Sequence, residues 1–221
     1  MNFKFLTFIC SLVLVYGWTY CVPSTVSPAA NIYSSKIPGT VILVIDDNVK
    51  NVSQDVEATS YFCIRRKFPV TLDSSLALSV KKTTDVIFEN VVEQSNLSTK
   101  DPFLQMGGQG IIYVKLNRFY PKISFSRGFW SVHANASCDI VLDVIVKDCN
   151  YKNLLTTTVG GSRSVDGDGG AFCGNGANVL LEAISLAMRG TMEQYAERLS
   201  NSETIRTSFK QMTVIEREIE K

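Results

Sequence analysis

His133 is the only histidine in the chain, so any general-base chemistry by imidazole falls to it. A nucleophilic hydrolase needs serine, histidine and an acid within hydrogen-bond reach. His133 sits on the polar side of an alternating segment, and the acid that follows it there is Asp139. Six strand rises separate the two, roughly 20 Å of extended chain. That strand builds no triad, and no catalytic residue is expected. One histidine and scattered cysteines also lack the spacing of a zinc site, so no metal ligands are expected. Asp166-Gly-Asp168-Gly-Gly carries part of a calcium-loop pattern. It lacks the closing glutamate and the paired helices of an EF-hand, and reads as a plain loop. Gly174-Asn-Gly176 precedes a helix, as phosphate-binding loops do. The third glycine and the lysine are missing, which leaves a flexible lead into the helix. No cofactor is expected.

Surface chemistry is better represented. Between Arg118 and Trp130 the aromatics Phe119, Tyr120, Phe125, Phe129 and Trp130 alternate with the cations Arg118, Lys122 and Arg127. Such a mixture suits a protein partner or lipid headgroups. The plainer reading turns alternate aromatics into a core and leaves the cations solvated. Asn51-Val-Ser53, Asn96-Leu-Ser98 and Asn135-Ala-Ser137 are glycosylation sequons. They matter only in a eukaryotic secretory pathway.

The elements that would carry these residues follow from periodicity. Thr40–Ile45 is a continuous β-branched run, which predicts a central strand covered on both faces. A second strand is expected from Val56 to Ile64. Leu76, Val80, Thr84, Ile87, Phe88 and Val91 recur at spacings of three and four, predicting a helix of about twenty residues from Ser74. Gly110–Phe125 is strand-like. Val132 to Val146 alternates apolar with mostly polar residues, the mark of a sheet with one face on a core. Leu154–Arg163 returns as a third strand of a meander. Ser164–Asn178 reads as a loop, and a helix follows over Ala177–Leu199. Ile205, Phe209, Met212, Ile215 and Ile219 then repeat at helical spacing in a tail, residues 201–221, with no obvious place in the domain. The order predicts an α+β fold: a two-layer sandwich, its sheet mainly antiparallel, with two long helices on one face.

The first 21 residues bear on the compartment. Lys4 is their only charge, and an apolar run from Phe5 to Tyr16 ends at Gly17. That is the pattern of a signal peptide. Run on through Val22, the segment is also just long enough to be a retained anchor. A third outcome is lipidation at Cys21, although Tyr20 departs from the small residues of a lipobox. Residues 22–39, rich in Pro, Ser and Thr, read as a linker ahead of a domain at 40–200. Beyond Cys21 the chain carries 21 basic and 21 acidic side chains. With no net charge it has no general electrostatic attraction for nucleic acid.

Export makes a disulfide plausible. If the strand ending near Cys63 runs upward and the meander threads up, down and up, the loop carrying Cys173 also lies at the top. Cys138 and Cys149 are on one strand path, roughly 36 Å apart if extended, far beyond disulfide reach. The expected bond is Cys63–Cys173.

The export signal, the strand Thr40–Ile45, the helix Ser74–Val92 and a meander leading to Leu180–Leu199 together resemble small envelope lipoproteins of Gram-negative bacteria. These are the auxiliary lipoproteins of ABC-type transport systems and the lipoprotein partner of the lipopolysaccharide translocon. The resemblance covers residues 40–200 and rests on element order. It implies a non-catalytic accessory protein of the periplasm or outer membrane, bound to a larger envelope protein complex or to lipid. A secreted eukaryotic glycoprotein is the alternative, and a hydrolase with its site in loops the remaining one.

Overall fold

The computed structural model describes residues 20–21, 35–64, 66–94, 108–128 and 132–219. The apolar run Phe5–Tyr16, most of the expected linker, Asn96, Phe129 and Trp130 lie outside them. In chain order the elements are β1 (Tyr20–Cys21), β2 (Ile37–Ile45), α1 (Asp47–Lys50), β3 (Ser53–Glu57), β4 (Lys67–Thr71), α2 (Ser75–Ile87), β5 (Phe88–Gln94), β6 (Gly110–Arg127), β7 (Val132–Asp148), β8 (Asn153–Asp168), α3 (Gly176–Ser200) and α4 (Glu203–Ile219).

The alternation after Val132 becomes β7. Ala134, Ala136, Cys138, Ile140, Leu142, Val144 and Val146 are all fully buried, while His133 and Asn135 face out. β7 pairs antiparallel with β6 and β8, which forms the expected meander. β2 is central and buried through Val41, Ile42 and Leu43. It starts at Ile37, inside the expected linker, and Ile37 is itself fully buried.

The sheet is nevertheless mixed, in the order β5-β2-β6-β7-β8, because β2 runs parallel to both of its neighbours. β5 is the strand that periodicity concealed. Its Phe88 and Val91 fall in step with the helical stripe, but the helix stops at Ile87 and Phe88 is already extended. A β-branched and aromatic run beside an open sheet edge gains more by pairing with β2 than by two further helical turns. The expected second strand is also different. It is a hairpin, β3 and β4, in a small separate sheet, and Cys63 sits in its connecting loop. β1 adds to that sheet, with Tyr20 opposite Val70 and Cys21 opposite Thr71.

β6 accommodates Pro121 because β2 leaves it after Val114. Pro121 is paired with Cys138 on the β7 side, and its other side needs no ladder donor.

α3 packs on β7 and β8 at close range. A Cβ at Gly161 would fall 2.2 Å from the carbonyl oxygen of Ala187, so only glycine fits there. Thr191 donates to the carbonyl of Ile140 at 3.3 Å. α2 meets α3 through a buried hydrogen bond between the Thr84 and Tyr195 hydroxyls, 2.9 Å. Burial pushes the Tyr195 phenol well up, more than the Thr84 bond lowers it. The expected pair of long helices is therefore one of 25 residues and one of only 13.

The tail corrects a second expectation. Ile205 and Phe209 on α4 are fully buried, and the Phe209 ring lies 5.4 Å from that of Phe88. The first turns of the tail belong to the core. A helix with a strong apolar stripe does not stay solvated when an uncovered end of the sheet lies beside it.

Register on β7 is open to a paired test. Leu142→Asp would put an unpaired charge in the core and is expected to cost at least about 4 kcal/mol. Asp143 faces outward and accepts from Asn117 and Thr158 at 2.8 Å each. Asp143→Asn keeps one acceptor and is expected to cost only about 1 kcal/mol. Equal shifts in urea midpoint would overturn the register.

Candidate interaction surface

β3, β6 and β8 all run toward one end of the molecule, and α3 starts there. Three parts of the chain meet at that end: residues 58–64, the paired ends of β6 and β7 at Arg127 and Val132, and residues 169–175. The first is laid along β6. Thr59 donates its backbone N–H to the Ile123 carbonyl at 2.9 Å, and Phe125 donates to the Ser60 hydroxyl at 2.8 Å. With its stem fixed, the loop turns sharply at Cys63, which has φ of +65°.

Cys63 is bonded to Cys173, with Cα atoms 6.6 Å apart, as the threading argument expects. On the other side of the bond a single 3-10 turn, Ala171–Cys173, bears Phe172 and Cys173 at φ of +54° and +62°. Arg66 ties the two loops again by donating a hydrogen bond to the Phe172 carbonyl, and its guanidinium lies 5.9 Å over the Phe68 ring.

The disulfide brackets the three most exposed large apolar side chains among the described residues, Phe172, Tyr61 and Ile64, with Phe62 beside them. Tyr61 and Phe172 are 89% and 90% exposed, Ile64 57% and Phe62 40%. Folding alone gives no reason to hold four large apolar groups in water on constrained backbone. The Tyr61 and Phe62 rings stand edge to face with centroids 6.2 Å apart, and these side chains form the candidate interaction surface.

The aromatic and cationic residues of β6 divide as strand alternation requires. Phe125 is buried and stacked on Phe68 at 5.9 Å, and Phe119 packs against the core. Tyr120 faces out with the Lys122 ammonium 4.3 Å above its ring. Arg127 is exposed at the end of the strand. Arg118 belongs elsewhere, to a cleft of about 780 Å³ beside the β8 edge. There Arg118 and Arg163 share walls with Asp139, Glu193 and Glu197, and Gln194 caps the free N–H of Gly160 at 3.0 Å. The cleft holds charge of both signs but neither histidine nor cysteine.

The glycine- and aspartate-rich motifs serve the same end of the fold. β8 continues to Asp168, so the first third of the expected loop is strand. Asp166 accepts from Asn135 at 2.6 Å and lies 3.5 Å from His133. Asp168 accepts from the Gly170 N–H at 3.0 Å. Gly176 is needed because a Cβ there would meet the Phe125 ring at 2.5 Å. Among the described residues no cluster of three His, Cys, Asp or Glu side chains is placed to hold a metal.

Among the described residues Cys138 and Cys149 take no part in a disulfide. Burial, helped by the neighbouring Asp139 charge, pushes the Cys138 thiol from 9.0 up to about 12. Cys149 is half-buried beside the Met212 sulfur, 3.5 Å away. Iodoacetamide at pH 8 is expected to label Cys149 and to spare Cys138 until the protein unfolds. Because the folded thiol titrates above the unfolded one, its contribution to stability is intact below pH 9 and declines as pH rises toward 12. Equal labelling of both in the native state would overturn the burial of Cys138.

Sequence reasoning missed Tyr61, Phe62, Ile64 and Phe172. The available signal was composition: residues 58–68 hold Arg65, Arg66 and Lys67 with no acid, beside Tyr61-Phe-Cys63-Ile.

No helix among the described residues is long and apolar enough to cross a membrane. No protein-family model and no curated protein sequence matches the chain. Among solved structures, it is similar to protein XCC0632 of Xanthomonas campestris, of the DUF330 family, at 11% identity and a TM-score of 0.45, covering 87% of this chain and 98% of that one. It is also similar to a neuraminyllactose-binding hemagglutinin homolog of Helicobacter pylori, at 7% identity and a TM-score of 0.41, covering 84% and 95%. Both neighbours are bacterial proteins, and at such overlap neither bears on what this chain does.

Proposed function

We propose that this chain is an exported cell-envelope accessory protein that acts by binding to a larger envelope or transport assembly, without catalysis of its own. The observation that carries the reading is the Cys63–Cys173 bond with exposed Tyr61, Phe62, Ile64 and Phe172 around it. A bond of this kind persists in oxidising compartments such as the periplasm. The apolar groups it holds in water are of use only to a binder. The N-terminal apolar run supplies the export signal, and Cys21 or the uncleaved run supplies membrane attachment.

The test is made on the full chain in a Gram-negative host. Cell fractionation with peptide mapping under non-reducing conditions should recover Cys63 and Cys173 as one linked peptide from the envelope fraction. Cytosolic protein with a free Cys63 peptide would refute export. Radiolabelled palmitate should enter the wild type and not Cys21→Ser; a Cys21→Ser protein that still fractionates with the outer membrane would refute lipid anchoring.

A further inference from the structure

We infer that the disulfide-tied end is a lipid-insertion tip, which places Tyr61, Phe62, Ile64 and Phe172 among the headgroups and upper acyl chains of an anionic membrane. This deepens the reading above and rests on it for the presence of a membrane.

The first ground is geometry. Tyr61 and Phe172 project almost wholly into water, and the backbones behind them are bonded through Cys63–Cys173 and through Arg66 to the Phe172 carbonyl. A protein interface would present a wide surface with an apolar centre and a polar rim. The apolar groups exposed here are four side chains on two disulfide-joined loops, three of them aromatic and suited to headgroup depth.

Charge gives the second ground. Residues 58–68 carry three basic side chains and no acidic one. Arg66 and Lys67 are exposed just behind the apolar groups, and Arg127 is exposed at the same end, where Asp166 and Asp168 on β8 are exposed acids. Lys67 is paired with Glu57 at 3.2 Å on the solvated side of the hairpin. Cations set behind apolar tips are complementary to anionic headgroups around inserted side chains.

Chain direction is the third. β1 and β4 are parallel, and both run away from this end. Tyr20 therefore opens β1 on the side on which the aromatic tip lies. A membrane at that end would face both the tip and the start of β1.

The N-terminal run would bind vesicles by itself, so the readout must be local to the tip. Phe172→Trp, made in the full chain, adds an indole at a position whose side chain has no packing role. Its emission is taken as the difference from the parent protein, which has Trp18 and Trp130. Vesicles of phosphatidylglycerol with phosphatidylethanolamine should blue-shift the added emission, and brominated acyl chains should quench it. In phosphatidylcholine vesicles, or with Tyr61→Ser and Ile64→Ser added, half-saturation should need about tenfold more lipid. An unshifted difference spectrum on protein that has bound the vesicles would overturn the inference, as would equal quenching in neutral and anionic lipid. A blue shift without lipid that grows with protein concentration would replace it with self-association. Vesicle failure alongside successful envelope fractionation would remove this inference alone, whereas failed fractionation would remove the envelope reading.

Discussion

Replacing both Cys63 and Cys173 by serine is expected to lower stability by about 5 kcal/mol, as a loop of this length predicts in the chain-entropy account. The bond joins residues 110 positions apart, so the unfolded chain loses a large constraint when it is cut. Such a loss is a third or more of the roughly 5–15 kcal/mol by which a folded domain exceeds its unfolded state. For a chain of this size it corresponds to a fall in Tm of roughly 10–20 °C. Reducing agent should reproduce the fall in the wild type and leave the double variant unmoved. The tip should also respond. Cys63, Phe172 and Cys173 all have left-handed φ values that cost non-glycine residues energy, and without the bond nothing covalent keeps them there. Limited proteolysis is expected to cut the variant first at residues 61–66 or 170–174. Unchanged melting and unchanged cleavage would together refute a structural role for the bond.

Deleting residues 203–221 is expected to be comparably severe, at about 5 kcal/mol or more, since it uncovers two complete core side chains. Ile205 and Phe209 are fully buried, and Phe209 fills the space over Gly110, where a Cβ would stand 2.6 Å from its ring. Phe209→Ala alone should cost about 3–5 kcal/mol, while Lys210→Ala, at the exposed neighbouring position, should cost under about 0.5 kcal/mol. Urea midpoints separate the two outcomes. A truncated chain that melts like the full one would show that the tail is an appendage after all.

The meander was legible in the sequence because one side of it is wet: His133, Asn135 and Asp143 break the apolar run at every second position and so reveal the period. α3 was legible for the same reason. β5 was not, because Phe88 and Val91 satisfy a helical stripe and a buried strand equally, and only the presence of β2 decides between them. The tail's role was hidden because its stripe states that a face is apolar without stating what covers it. At the site the pairing of Cys63 with Cys173 followed from threading direction even though the strand assumed to lead to Cys63 is a hairpin loop. Its exposed companions were missed because exposure is a property of the folded loop. Tyr61-Phe62 next to a cysteine reads as core when the turn at Cys63 is unknown.

The parallel placement of β2 has a consequence for how the chain is made. The meander pairs neighbours, Val146 with Leu155 across one short turn, and closes such contacts soon after both strands leave the ribosome. β2 leaves first but has no sheet partner until Val91 and Gly110 arrive to flank Val41. Through that interval a Thr-Val-Ile-Leu-Val-Ile segment with two bare hydrogen-bonding edges exists in the nascent chain, the kind of segment that pairs with other chains. Refolding from denaturant should therefore show concentration-dependent loss, which a chaperone that holds extended apolar segments would relieve. Charged residues introduced on the meander should do little to prevent it. The cell meets this cost with each molecule it synthesises.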